Sequence, residues 1–209
     1  MHEIVKLTER DLELIPFGQG QTHRLVFVDG RYSSQLSSLS ALPKGVTVME
    51  LAEALSVSSN LVERHLSRYA NYNDEPFTAL NTAFIDQGVF IHIPDEVCVE
   101  EAIHLVFVFT QASKDVVIYP RVLILADTNS KATIIENYEG ISDNRYFSNA
   151  VTEMVVGVGA TVNHYRIQQH SKQAYHVGTS EIELNRDSSY SSVVFDSGGR
   201  LVRNNLKLH

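Results

Sequence analysis

From Val89 onward the chain is a ladder of short apolar, β-branched segments with no helical stretch between them, and this ladder limits what it can fold into. The segments are 105–110, 116–118, 122–125, 132–135, 154–156, 160–167, 182–184, 191–195 and 206–208, separated by short polar turns. All five prolines lie at or before Pro120, so nothing in the remainder would interrupt a run of paired strands.

Three strand-turn-strand units look alike. Leu123-Ile124-Leu125-Ala126-Asp127 leads to Ala132-Thr133-Ile134-Ile135, and Met154-Val155-Val156-Gly157 leads to Ala160-Thr161-Val162. Ile182-Glu183-Leu184-Asn185 leads to Ser189-Tyr190-Ser191. The second strands begin at Ala132, Ala160 and Ser189, a period of about 28–29 residues, which is a repeat-protein spacing. The connections are too short for the crossover helix of a βαβ unit. Parallel strands without crossover helices leave a solenoid, in which each coil buries its apolar face on the last. Small residues at Ala126, Gly157, Gly159 and Ser188 suit its tight corners. A two-sheet antiparallel sandwich is the alternative that the same pattern allows.

Residues 1–75 read differently, as a mixed and partly helical region. Thr8-Glu9-Arg10-Asp11 has the form of a helix start, because the threonine hydroxyl can accept from an orphan amide. Arg24-Leu25-Val26-Phe27-Val28 reads as a strand closed by the Asp29-Gly30 turn. The serine-rich stretch 33–40 reads as a loop. Thr47-Val48-Met49-Glu50 has the capping-box pattern and predicts a helix running through Leu51, Ala52 and Leu55. A second helix is expected from Asn60, with Leu61, His65 and Leu66 on one side. The polar run 71–76 is the natural linker, and 77–84 returns to a helical pattern. The expected division is therefore 1–75 and 76–209.

Charge and cysteine content narrow the function. A net charge of −8, with 17 scattered basic residues, does not make a phosphate-binding surface, so a nucleic-acid partner is not expected. No segment has the apolar length of a membrane span, and Met1-His2-Glu3-Ile4-Val5-Lys6 lacks the pattern of a signal peptide. The single cysteine, Cys98, cannot form an internal disulfide, which fits a reducing cytoplasm.

Two blocks frame the ladder. The first is Phe77-Thr78-Ala79-Leu80-Asn81-Thr82-Ala83 followed by Gly88-Val89-Phe90-Ile91. The second is Gly198-Gly199-Arg200-Leu201-Val202-Arg203-Asn204, and Tyr119-Pro120-Arg121-Val122 opens a strand between them. With these blocks the chain resembles the SufB/SufD family of iron–sulfur cluster assembly scaffolds. The resemblance is clear over about the last 130 residues and fainter through Leu25-Val26-Phe27-Val28-Asp29-Gly30 and Leu42-Pro43-Lys44-Gly45-Val46. The matching motif positions include Asn81, Gly88, Gln168, Gly198, Gly199 and Arg203. The resemblance implies a mainly β fold, a right-handed parallel β-helix preceded by a small α/β region. Within the family the chain is more similar to SufD. Where SufB proteins carry Val-Gln-Asn-Trp, this chain has Ile167-Gln168-Gln169-His170, and it has no tryptophan.

The implied activity is non-catalytic scaffolding through pairing with SufB and the SufC ATPase. A cluster would be held only transiently in the full complex, and no cofactor would belong to this chain. The family's working cysteine and histidine fall in coils beyond His209, so the β-helix is expected to be incomplete at its C-terminus. A fragment, a truncated gene product, or a chain whose open end another copy covers is expected, with a dimer or larger species in solution. The competing classes are a β-helix polysaccharide hydrolase or lyase and a stand-alone interaction domain.

Several residues invite sharper readings. His164, His170 and His176 could ligate zinc or iron if stacked coils aligned them. Nothing in their spacing enforces this, and surface or turn positions are the plainer expectation. Cys98 could accept sulfur, but its acidic neighbours Glu96 and Glu100 oppose thiolate formation, and a small buried strand residue is expected instead. Glu136, Glu139, Asp143 and Glu153 could supply a glycosidase pair only if two of them met in one groove. Gly198-Gly199 lacks the Lys-Ser/Thr of a phosphate loop and fits a coil corner better.

Overall fold

The computed structural model describes residues 7–15, 23–40, 42–73, 75–85, 87–110 and 113–209. In chain order the first elements are α1 (Glu9–Leu12), β1 (His23–Val28), β2 (Arg31–Tyr32), β3 (Ser38–Leu39) and β4 (Thr47–Glu50). Three helices follow, α2 (Leu51–Val57), α3 (Ser59–His65) and α4 (Pro76–Ala83). The ladder comprises β5 (Gly88–Ile93), β6 (Ile103–Phe109), β7 (Val117–Ile118), β8 (Arg121–Ala126) and β9 (Lys131–Gly140). It continues through β10 (Phe147–Val156), β11 (Thr161–His170), β12 (Tyr175–Leu184), β13 (Ser189–Gly198) and β14 (Leu201–Leu208).

These strands alternate between two sheets and wind a parallel β-solenoid of about 4 turns. One sheet has the order β13-β11-β9-β6-β1-β2, and the other β14-β12-β10-β8-β5-β4. The ladder strands pair in parallel throughout, which removes the antiparallel sandwich. Among the described residues antiparallel pairing is confined to β1 with β2 and β3 and to β4 with β5. The first strand of its sheet comes from the N-terminal stretch, because β1 lies parallel to β6.

Alternate residues face the space between the sheets, where Leu25, Phe27, Val89, Ile91, Leu105, Phe107, Val122, Ile124 and Met154 form the main core. Equivalent positions of successive coils stack, with ring centroids 5.2 Å apart for Phe27 and Phe107 and 4.9 Å for Phe107 and Tyr138. The outer faces are covered too. Leu12 and Ile15 pack over Val26, Val106 and Val108, while Leu51, Ala54 and Val62 of α2 and α3 pack over Phe90, Leu123 and Leu125.

Two local expectations change. The capping-box segment is the strand β4, paired with β5 through Val48 and Ile91, and α2 starts only at Leu51. Val48 is buried by that pairing, so sheet formation outweighs the local helix signal. The last five long strands β9 to β13 each run 10 residues, well past the apolar segments. Their extra length carries polar side chains that face inward, and these break the apolar alternation. At the first helix Asp11 reaches back to accept from the Thr8 amide at 2.8 Å and from the Thr8 hydroxyl at 2.6 Å.

Candidate functional site

Two buried polar assemblies stand out, one on an outer face and one inside the solenoid. The outer one begins at Arg121, which opens β8 after Pro120. Its Nη2 donates to Glu153 Oε2 on β10 at 2.8 Å, and neither side chain is exposed. Glu153 also accepts from the backbone amides of Ser67, Tyr69 and Ala70 at 2.7, 3.2 and 2.9 Å. Arg121 Nη1 donates to Asn81 Oδ1 at 3.0 Å, and Asn81 Nδ2 donates to the carbonyls of Pro120 and Asn149 at 3.0 and 2.8 Å. The arrangement fastens the α3–α4 connection and α4 to the sheet. Gly88 makes room for it, because a Cβ there would overlap the Arg121 carbonyl and lie 3.1 Å from the Arg121 Cβ.

The inner assembly bridges the two sheets. Glu136 on β9 accepts from Tyr138 at 2.7 Å and from Thr152, across on β10, at 2.8 Å, and lies 3.0 Å from His164 Nε2. Arg166 Nε is 3.8 Å from the same carboxylate, and Arg166 Nη1 donates to Ser180 of the opposite sheet at 3.0 Å. Burial alone would raise the Glu136 carboxyl, but His164, Arg166 and Tyr138 together hold it down at about 2. Burial, then Glu136, pushes the Tyr138 hydroxyl well above its ordinary value.

A second chain of contacts follows. Tyr146 meets His170 Nδ1 at 2.8 Å, and His170 Nε2 meets His176 Nδ1 at 3.1 Å. Burial lowers His170 to about 3, and burial with the nearby His170 and Arg166 puts His176 well below its usual value. Burial thus disfavours the charged form of both rings.

The three candidate histidines therefore sit inside the solenoid, and the expectation of surface or turn positions is corrected. Their nitrogens are engaged with Glu136, Tyr190, Tyr146 and one another, save His176 Nε2. Among the described residues no three His, Cys, Asp or Glu side chains are placed to hold a metal ion. Cys98 is exposed, not buried; the alternation turns Val99 inward in its place. It borders a surface cleft of about 480 Å³ that His23 and Glu101 also line.

The four acids do not share a groove. Glu136 is interior, Glu153 is locked to Arg121 outside the other sheet, and Asp143 accepts from Ser171 in a loop. Glu139 is raised to about 7 by burial alone. Of the motif positions, Asn81 and Gly88 belong to the Arg121 assembly, while Gln168 is buried on β11. Gly198 and Gly199 have φ of +75° and +73° and form the corner between β13 and β14, and Arg203 is exposed on β14. Arg121 figured only within the Tyr119-Pro120-Arg121-Val122 block, and Tyr138, Tyr146 and Arg166 were not singled out by the sequence. A charged residue inside an otherwise apolar strand, as in Arg121-Val122-Leu123-Ile124, is the signal that would find the first of them.

Comparison with known proteins agrees with this architecture. Residues 19–105 match the SufBD protein N-terminal region, and residues 108–209 match the SufBD core domain of the SUF system for FeS cluster assembly. An iron–sulfur cluster assembly SufBD family protein of Synechocystis is 30% identical over 199 residues, covering 88% of this chain and 42% of the relative. The iron–sulfur cluster assembly protein SufD of Bacillus subtilis is 31% identical over 123 residues, covering 58% and 28%. The chloroplastic protein ABCI7 of Arabidopsis thaliana is 24% identical over 212 residues, covering 98% and 44%. The chain thus spans under half the length of these relatives. Two consecutive domain matches that together follow the solenoid and its N-terminal helices identify the chain as a member of the SufBD family of iron–sulfur cluster assembly proteins.

Proposed function

We propose that the chain acts as a SufD-like, non-catalytic scaffold, working in the cytoplasm through pairing with a SufB-like protein and a SufC-like ATPase. The observation that carries this reading is where the chemistry-bearing side chains lie. Glu136, His164, Arg166, His170 and His176 are sealed between the sheets, and Arg121 and Glu153 are consumed in fastening the helices. Cys98 stays exposed beside a cleft, and the open strand faces are available for recognition by shape. The SufD-like choice rests on Ile167-Gln168-Gln169-His170, on the lack of tryptophan and on the similarity to the Bacillus protein.

Any cluster would be held transiently in the assembled complex, with no cofactor resident in this chain. Among the described residues no helix is long and apolar enough to cross a membrane. The terminal strands β13 and β14 leave Val193, Phe195, Leu206 and Leu208 exposed, a surface suited to a second copy or a SufB-type partner.

Co-purification tests the reading. The chain, mixed with SufB-like and SufC-like proteins from one source, should co-elute with at least one of them and by itself run as a dimer or larger. A monomer that binds neither would leave the family and the fold but remove the scaffold role.

A further inference from the structure

Each connection that leads from the β13 sheet to the β14 sheet carries one basic residue. Lys114, Arg145, Lys172 and Arg200 lie in the successive connections 110–116, 141–146, 171–174 and 199–200, and Arg31 lies on β2 just after β1. The connections running the other way hold acids instead, with Asp95, Glu96, Glu100, Glu101 and Asp127 in the first two. A chain of net charge −8 therefore sets a row of cations along one corner of its solenoid.

The acids of that corner are already engaged. Asp29 accepts from the Thr110 amide and hydroxyl at 2.7 and 2.6 Å, and Asp143 accepts from Ser171 at 3.2 Å. Asp115 pairs with Arg145 at 2.6 Å. Among the described residues Arg31 and Arg200 meet no carboxylate, and the Arg200 guanidinium lies 5.9 Å from the centre of the Tyr175 ring.

Between these two arginines the corner is concave and largely apolar. A cleft of about 300 Å³ has the buried Phe27, Phe107 and Ile118 beneath it, the stacked rings of Phe84 and Tyr119 beside it, and Arg31 among its polar lining. A second cleft of about 330 Å³ is lined by Tyr146, Phe147, Tyr175 and the Asp115–Arg145 pair. Val116 lines both, so the two are continuous, and Phe84, Val116 and Val117 are exposed around them. Arg31 and Arg200 stand five strand spacings apart along the groove, about 24 Å. An extended segment of seven residues spans about 20 Å between its end Cα atoms, and the end side chains close the remainder. Its first, third, fifth and seventh side chains would face the groove. A nucleic-acid strand fits less well, because its phosphates would fall against the Asp115 and Asp143 carboxylates part-way along.

We propose that this corner binds an extended segment of a partner protein, apolar at its third and fifth positions and acidic at both ends. The carboxylates meet Arg31 and Arg200, and the apolar side chains fill the two clefts. The apolar burial supplies the affinity, and the end charges set direction and register. The inference goes beyond the scaffold reading and requires neither a SufB-like nor a SufC-like partner.

Fluorescence polarisation with a fluorescein-labelled peptide, Glu-Ser-Phe-Thr-Val-Ser-Glu, tests this on the intact chain at low salt. Saturable binding below about 1 mM is expected. The lysine-ended peptide, Lys-Ser-Phe-Thr-Val-Ser-Lys, should bind about fivefold or more weaker. The double variant Arg31→Glu, Arg200→Glu changes two exposed side chains and should invert that preference with an unaltered circular dichroism spectrum. Val116→Ser should weaken both peptides about threefold or more. No saturation by about 1 mM, the same preference in the double variant, or unchanged affinity in Val116→Ser overturns the proposal. Equal binding of a seven-nucleotide oligothymidylate would also overturn it, by showing a site for polyanions in general.

Discussion

Arg121 and Glu153 meet at 2.8 Å with no solvent exposure on either side chain, and they do so across adjacent parallel strands, β8 and β10. A buried ion pair is not in itself stabilising, since desolvating both charges offsets much of their attraction. Here the carboxylate also receives three backbone amides from 67–70 and the guanidinium reaches Asn81, so the pair sets where the helices sit.

Glu153→Ala should therefore cost about 3–5 kcal/mol, the range for leaving a buried charge without its partner. Glu153→Gln retains an acceptor for the amides and should cost less. Urea unfolding at neutral pH measures both. A loss under about 1 kcal/mol for the alanine variant would mean that water reaches Arg121 and that the connection is not fastened as described.

Gly88 tests the same assembly from below. Its φ is not in the left-handed region, so the constraint is space alone: a Cβ would meet the Arg121 carbonyl of the neighbouring strand. Gly88→Ala should cost about 1–3 kcal/mol, the usual range for overpacking, and Gly88→Val more. Thermal unfolding of the two variants should rank them in that order. Equal midpoints would show that β5 and β8 can separate without loss.

The solenoid was legible in the sequence because apolar alternation and the three similar units are local signals. Residues 88–93 and 121–126 show this, with every inward position aliphatic or aromatic. The inner network was not legible for the same reason. Glu136, His164, Arg166 and His176 occupy inward positions that a hydrophobic pattern assigns to loops or surface. Only the stacking of coils brings Thr152 to Glu136 and Ser180 to Arg166. The Glu153 latch joins residues 83 to 86 positions apart, beyond any local reading. Thr47–Glu50 failed differently, since a valid capping pattern lost to pairing with β5.

Cys98 should react in the native chain. Its side chain is exposed beside a cleft, so iodoacetamide should modify it at a rate within a few-fold of that in denaturant. Native alkylation slowed by a hundredfold or more would place the thiol under cover that the geometry does not provide.

Glu139 makes stability fall as pH rises toward neutrality. Burial raises its carboxyl to about 7, and its Oε2 has no hydrogen-bond partner among the described residues. The folded chain therefore favours the protonated acid, whereas the unfolded chain ionises near the ordinary value of about 4.3. Wild-type stability should decline as pH rises from there through about 7, because the fold must then accommodate an unpaired carboxylate. Glu139→Gln keeps the shape and abolishes the charge, so it should be more stable than wild type at about pH 8 and lose that advantage toward about pH 5. Thermal midpoints across this range measure the difference. A gap that does not depend on pH would show that Glu139 is solvated in the native chain.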